Sequence, residues 1–200
     1  MDWSLFTTVI LAGGPSLTVA QVETVEFTDT PVQVIAVNRC YTLAPWADVF
    51  YAGDYMFWKK HIDRMKKVKG THTQFWTQDR AAHEHFHLNY VKGVNREGLG
   101  IGLLHTGGNS GAQAINLAFH WGCRRILLLG MDMKEGPKGE KHWHGDHEKD
   151  LVQKQTFAEW IHRFEKIAAD LKARGCEVVN CSPGSALPWF RMSTIEEELR

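Results

Sequence analysis

Residues Thr7–Leu17, "TTVILAGGPSL", decide the fold. A short run of β-branched and apolar residues breaks at Gly13 and Gly14, and the following "PSLTVAQVETV" has helical spacing with Pro15 or Ser16 in its first turn. The stretch therefore reads as strand, tight loop, helix, the repeating unit of a parallel sheet.

The same alternation continues outward. "VQVIAVNR" (Val32–Arg39) and "ADVFYAGD" (Ala47–Asp54) are apolar runs that end on a polar residue, as strands buried on both faces do where they give way to loops. "YMFWKKHIDRMKKV" has helical spacing and a basic outer face, and "THTQFWTQ" reads as a strand. From Asp79 to Gly102 the chain is polar and punctuated by glycine, which predicts irregular structure, with His83, His85 and His87 in a solvated loop. Beyond it, "TGGNSGAQAINLAFHWGC" predicts a glycine loop and a small-residue helix, and "RRILLLGMDM" a central strand. A long helix follows, with Phe157, Trp160, Ile161, Phe164, Ile167, Ala168 and Leu171 on one stripe and Trp160 read as core packing; "CEVVNCS" is a last strand. Strands alternating with helices predict a Rossmann-like α/β three-layer sandwich with a mostly parallel sheet, a single domain over residues 1–200.

Composition narrows the function. Lys and Arg number 23 and Asp and Glu 23, so no global field draws nucleic acid, and the basic run from Lys59 to Lys69 reads as a solvated helix face. The 4 cysteines form no CxxC pair, which argues against a zinc knuckle and fits reduced thiols. No apolar run is long enough for a membrane span, and the expected location is cytoplasmic, the host cytoplasm if the chain is phage-encoded. "WFRMSTIEEELR" predicts a short helix capped by Ser193 or Thr194, available to cover the core or to meet a second copy in a homo-oligomer.

In an open parallel sheet, ligands bind beyond the carboxyl ends of the strands, where loops and helix N-termini gather. The residues expected there are Gly13, Gly14, Pro15 and Ser16, then Asn38, Asp54 and Asp132, and finally Asn180 with Ser182. "AGGPS" lacks the lysine of a Walker loop and the full dinucleotide fingerprint. In "TGGNSGAQAI", Gly108 and Gly111 let backbone approach a ligand, while Asn109 and Ser110 cap the helix or bond a phosphate or ribose. Two such loops facing each other would bind a nucleotide through backbone donors and hydroxyls, with few positive charges. After the central strand, "HWHGDH" (His142–His147) offers neutral imidazoles that could take a proton near pH 7: His147 or His144, with Asp146 to orient a ring. An extended segment would put His142 and His144 on one side; the spacing fits no usual zinc motif, and magnesium would favour Asp132 and Asp146.

The order of "LAGGPSL", "VNR" with "ADVFYAGD", "TGGNSGAQAINLAFHWGCRRILLLGMDM" and "HWHGDH" resembles bacterial sialyltransferases with a Rossmann-like nucleotide domain, and the related hydroxymethylpterin diphosphokinase-like family that includes small tailed-phage proteins. The resemblance implies that Gly13, Gly14, Pro15 and Ser16 form the first nucleotide loop, that Asn38 contacts the nucleotide, and that Ser110 with Gly111 forms the second loop. Asp132 would be the aspartate that ends the central strand. The sialyltransferase likeness implies a cytidine-monophosphate sugar donor, an acceptor hydroxyl compound, no required metal or tightly bound cofactor, and a histidine base after Asp132. The diphosphokinase likeness implies ATP, magnesium and diphosphate transfer. A phage-type protein that binds or sequesters a nucleotide without turnover is the third expectation.

Overall fold

The computed structural model describes residues 1–145 and 156–200. From the middle of the main sheet, β1 (Thr7–Leu11), β2 (Val32–Val37), β3 (Val49–Tyr51), β4 (Gln74–Thr77) and β5 (Asn89–Tyr90) run outward in chain order. A separate pair, β6 (Gly93–Val94) and β7 (Leu104–His105), lies outside it; β8 (Arg125–Leu129), β9 (Glu177–Asn180) and β10 (Arg191–Met192) extend the main sheet on the other side of β1. All neighbours in this eight-stranded sheet pair in parallel. The fold is a Rossmann-like α/β three-layer sandwich.

Strand alternation explains the three layers. Ile10 faces the layer that holds Ile35, Ile126 and Leu128, together with α4 (Ser110–His120) and α5 (Phe157–Ala173). Val9 and Leu11, one residue either side, face the opposite layer with Val34, Phe50, Leu127 and Leu129. That layer is closed by α1 (Val19–Glu26), α2 (Tyr55–Val68), α3 (Arg80–Phe86) and α6 (Ile195–Glu198). Each fully buried branched or aromatic side chain stabilises the sheet by about 1.5–3 kcal/mol, so strands apolar at every position are those a two-sided burial selects.

Several expectations are corrected. The first helix starts at Val19, not at Pro15 or Ser16, because Thr18 and Gln21 form a reciprocal capping box. The second strand gives way at Asn38 as expected: it stops at Val37, and Asn38 takes a left-handed φ of 51° and opens a 3-10 turn over Asn38–Thr42. Residues 80–86, expected to be irregular, are helical. The Asp79 carboxylate accepts the Ala82 N–H at one end, and His87, at φ 57°, caps the other. His83 and His85 therefore lie on a helix, where His83 Nδ1 meets the Leu88 carbonyl at 2.6 Å and His85 Nδ1 meets the Tyr55 hydroxyl at 3.2 Å. All four cysteines are buried free thiols, and among the described residues no helix is long and apolar enough to cross a membrane.

Candidate functional site

Chain order reverses between β1 and β8, and the loops after these strands part there in opposite directions. A crevice of about 660 Å³ opens at that point. Its floor is the Gly13–Gly14 turn and Gly130–Asp132; its walls are Asn38 and Arg39 after β2, Asn109–Gly111 at the start of α4, the 133–144 segment, and Phe157 with Trp160 from α5.

Asp132 is the anchor. Its side chain is 2% exposed, and its Oδ1 accepts the Ser16 N–H at 3.2 Å. Oδ2 is buried without a hydrogen-bond partner among the described residues. Burial pushes the carboxyl above the ordinary aspartate range, against the opposing pull of Ser16 and of Lys134. The main chain around it is held from the far side: Ser182 Oγ accepts the Met131 N–H at 2.8 Å, Ser185 Oγ donates to the Met131 carbonyl at 2.7 Å, and the Ala186 N–H donates to the Asp132 carbonyl at 2.8 Å. Met133 then turns at φ 51°, a left-handed conformation that costs an unbranched side chain about 1 kcal/mol or more and recurs at functional loops.

Gly14 is glycine because nothing larger fits. A β-carbon there would collide with the Asp132 carboxylate and the Gly130 carbonyl. The same approach engages the loop's donors: the Gly14 N–H goes to the Gly130 carbonyl at 2.8 Å and the Ser16 N–H to Asp132. At the second loop, the Asn109 carboxamide oxygen accepts the Gly111 and Ala112 N–H groups at 2.8 and 3.1 Å. Of the two roles open to Asn109, capping is the one it performs. Gly107 and Gly108, both left-handed, are pinned through their carbonyls by Arg163 at 2.8 Å and the Trp160 indole at 3.0 Å. Buried Gln113 ties the same loop to the sheet, donating to the Thr106 carbonyl at 3.0 Å while accepting from the Tyr51 hydroxyl at 2.8 Å.

The histidine segment closes the crevice over the first glycine loop. The Trp143 N–H donates to the Gly13 carbonyl at 3.1 Å, and His142 Nδ1 lies 3.2 Å from the same oxygen. The His142 and His144 rings stack with centroids 5.2 Å apart and 8° between planes, and both line the crevice. Trp143 packs into the core on the α1–α2 face. The two imidazoles share a side as expected, but through a tight turn, closed by the Gly145 N–H on the His142 carbonyl at 3.1 Å, rather than an extended strand.

Of the residues expected at the site, Gly13, Gly14, Asn38, Asn109, Ser110, Gly111, Asp132 and His144 line the crevice. Pro15, Ser16 and Gly108 do not: Ser16 holds Asp132 from behind, and Gly108 is tied to Trp160. Asp54 lies elsewhere, preceding α2, where burial and then the charge of Asp79 push its carboxyl up. Asp146 and His147 lie outside the described residues. Three cations, Arg39, Lys134 and Lys141, reach the crevice, where few positive charges were expected. Each sits directly beside a polar strand-end or loop residue, so only the folded chain separates it from an ordinary surface cation. Trp160, read as core, also lines the crevice, because the helical stripe that packs on the sheet runs past the sheet's end.

Among the described residues no three His, Cys, Asp or Glu side chains cluster as a metal cage. Among the described residues Asp132 and Glu135 are the carboxylates that line the crevice; Asp146, the other carboxylate expected to favour magnesium, lies outside them.

Fold and crevice together define an open parallel α/β protein with a crevice at its topological switch point. No protein-family model matches the chain, and no curated protein matches it in sequence. Among solved structures the chain is similar to MAf glycosyltransferase from Magnetospirillum magneticum AMB-1, with a TM-score of 0.66 over 97% of this chain at 14% identity. It spans 34% of that protein's chain, and at this identity the likeness establishes a shared fold.

Proposed function

We propose that the crevice is the site of a transferase that uses a nucleotide-activated donor, in the first place a glycosyltransferase acting on a cytidine-monophosphate sugar. The observation that carries this reading is the meeting of Asp132, the His142–His144 pair and the start of α4 in one crevice at the switch point. The shared fold with a glycosyltransferase supports glycosyl over other group transfer.

The chemistry follows from the groups present. An acceptor hydroxyl attacks the anomeric carbon, the bond from that carbon to the donor phosphate oxygen breaks, and the bonding pair leaves with the phosphate. The acceptor's proton passes to an imidazole, with His144 the described candidate and His147 a further one outside the described residues; neutral imidazole suits this near pH 7. Asp132 lines the crevice, and in this reading its carboxylate accepts a hydrogen bond from a hydroxyl or amine of the donor.

Thermal shifts with cytidine monophosphate, uridine monophosphate and ATP, each with and without magnesium, test the donor class. Stabilisation by cytidine monophosphate without magnesium supports the reading, and stabilisation by ATP only with magnesium would move it to diphosphate transfer. No response to any of the three would sink it. Tight binding with no glycosyl product or donor hydrolysis would leave a nucleotide-binding protein without turnover.

A further inference from the structure

The nucleotide-binding reading raises a question of donors. A phosphate held by glycine loops is normally cradled by backbone N–H groups. Here most of those groups are taken: Gly14 and Ser16 donate to Gly130 and Asp132, Pro15 has no N–H, and Gly111 and Ala112 donate to Asn109. Few loop donors are left to an anion in this crevice, so a cationic side chain that lines it has a role to fill.

Arg39 differs from the other two cations that line it. Lys141 lies 3.9 Å from Glu135, an opposite charge of its own. Lys134 sits near Asp132, whose charge it already offsets. Arg39 makes no ion pair among the described residues, and its Nε is buried with no hydrogen-bond partner. A guanidinium that lines the crevice without an opposite charge of its own can meet an oxyanion there in charge-assisted hydrogen bonds. Its position is fixed by the chain, since Asn38 turns left-handed and starts the 3-10 turn that carries Arg39 to the crevice wall.

We infer that Arg39 is the residue that binds the phosphate of the nucleotide, its planar fork taking two oxygens, with Lys134 a secondary source of positive charge. The inference rests on the proposed nucleotide donor and adds that a side chain, beyond the glycine loops, recognises its phosphate.

The test compares nucleoside with nucleotide. Affinities of cytidine and cytidine monophosphate, with uridine and uridine monophosphate alongside, are measured by calorimetry for the unaltered protein, Arg39→Gln, Arg39→Lys and Lys134→Gln. The unaltered protein is expected to prefer the monophosphate by about tenfold or more, the worth of a charge-assisted hydrogen bond. Arg39→Gln should bring that preference close to one while leaving nucleoside affinity within about threefold. Arg39→Lys, which keeps the charge and loses the fork, should restore only part of it, and it carries the test if Arg39→Gln does not fold. A preference that survives both Arg39 variants, or that vanishes in Lys134→Gln alone, overturns the assignment while the nucleotide reading stands. Binding of neither nucleosides nor nucleotides by the unaltered protein overturns both.

Discussion

Asp132 Oδ1 accepts the Ser16 backbone N–H at 3.2 Å, across 116 positions of sequence. This contact locks the loop after the first strand onto the loop after β8 and sets the floor of the crevice. Gly14 lies beneath it, close enough that a methyl group would strike both the carboxylate and the Gly130 carbonyl. Gly14→Ala is expected to destabilise the fold by about 2 kcal/mol, as overpacking a closed site does, and to abolish any nucleotide-induced thermal shift. Denaturant melts with and without ligand check both; an unchanged midpoint would mean the two loops are not in contact.

Asp132→Asn keeps the shape and the acceptor for Ser16. The buried carboxyl titrates above its ordinary range, so the native state holds the proton more tightly than the unfolded chain. Its stabilising contribution is therefore complete below the unfolded pKa and is lost as pH rises through the folded one. The asparagine variant should match or exceed the parent's melting temperature at pH 7, and the difference should shrink on acidification. Turnover should fall by about a hundredfold if Asp132 contacts the donor.

His144→Ala removes one member of the stacked pair. If this imidazole accepts the proton, kcat should drop by about two to four orders of magnitude while donor affinity is spared. Steady-state kinetics with a donor-binding titration separate the two. A large loss of binding with little loss of kcat would assign His144 to donor recognition.

Asn116 is 1% exposed on α4, and neither its carboxamide oxygen nor its nitrogen has a partner among the described residues. Asn116→Leu, of similar shape, should be neutral or raise stability by about 1 kcal/mol, since it removes two unsatisfied polar atoms. A clear drop in the thermal midpoint would instead reveal a buried water or partner that the carboxamide serves.

At the amino-terminal end of the sheet, opposite the crevice, Glu198 bridges Arg125 at 2.6 Å and Arg191 at 2.7 Å, and Glu177 joins the same two arginines. Arg191 foremost holds the Glu198 carboxyl at about 2, below its ordinary 4.5. A depressed carboxylate stabilises above the unfolded pKa, and that contribution disappears as pH falls through the folded one. Glu198→Gln should lose about 1 kcal/mol at pH 7, and its stability should fall less than the parent's between pH 4.5 and 2. Parallel curves over that window would show the cluster to be neutral.

The sequence determined the layers. Val9, Ile10 and Leu11 are apolar in succession because strands covered by helices on both sides need every position, and that local pattern cannot be satisfied by any exposed strand. Thr194 as a cap, the small-residue helix after Asn109, and the polar residues Asn38 and Asp132 beyond apolar runs follow from the same short-range rules, whereas the helix starts capped by Thr18 and Asp79 did not show in that pattern. Only the tertiary structure decided which strand ends share a crevice. Asp54 and Asn38 read alike as polar residues after apolar runs, yet β2 adjoins the switch point and β3 lies one strand farther out, so Asn38 lines the crevice and Asp54 lies outside it, near the like charge of Asp79. The cations Arg39, Lys134 and Lys141, and the ring of Trp160, were illegible for the same reason: a charge or an aromatic side chain becomes part of a site only through what packs opposite it, and those partners lie far away along the chain.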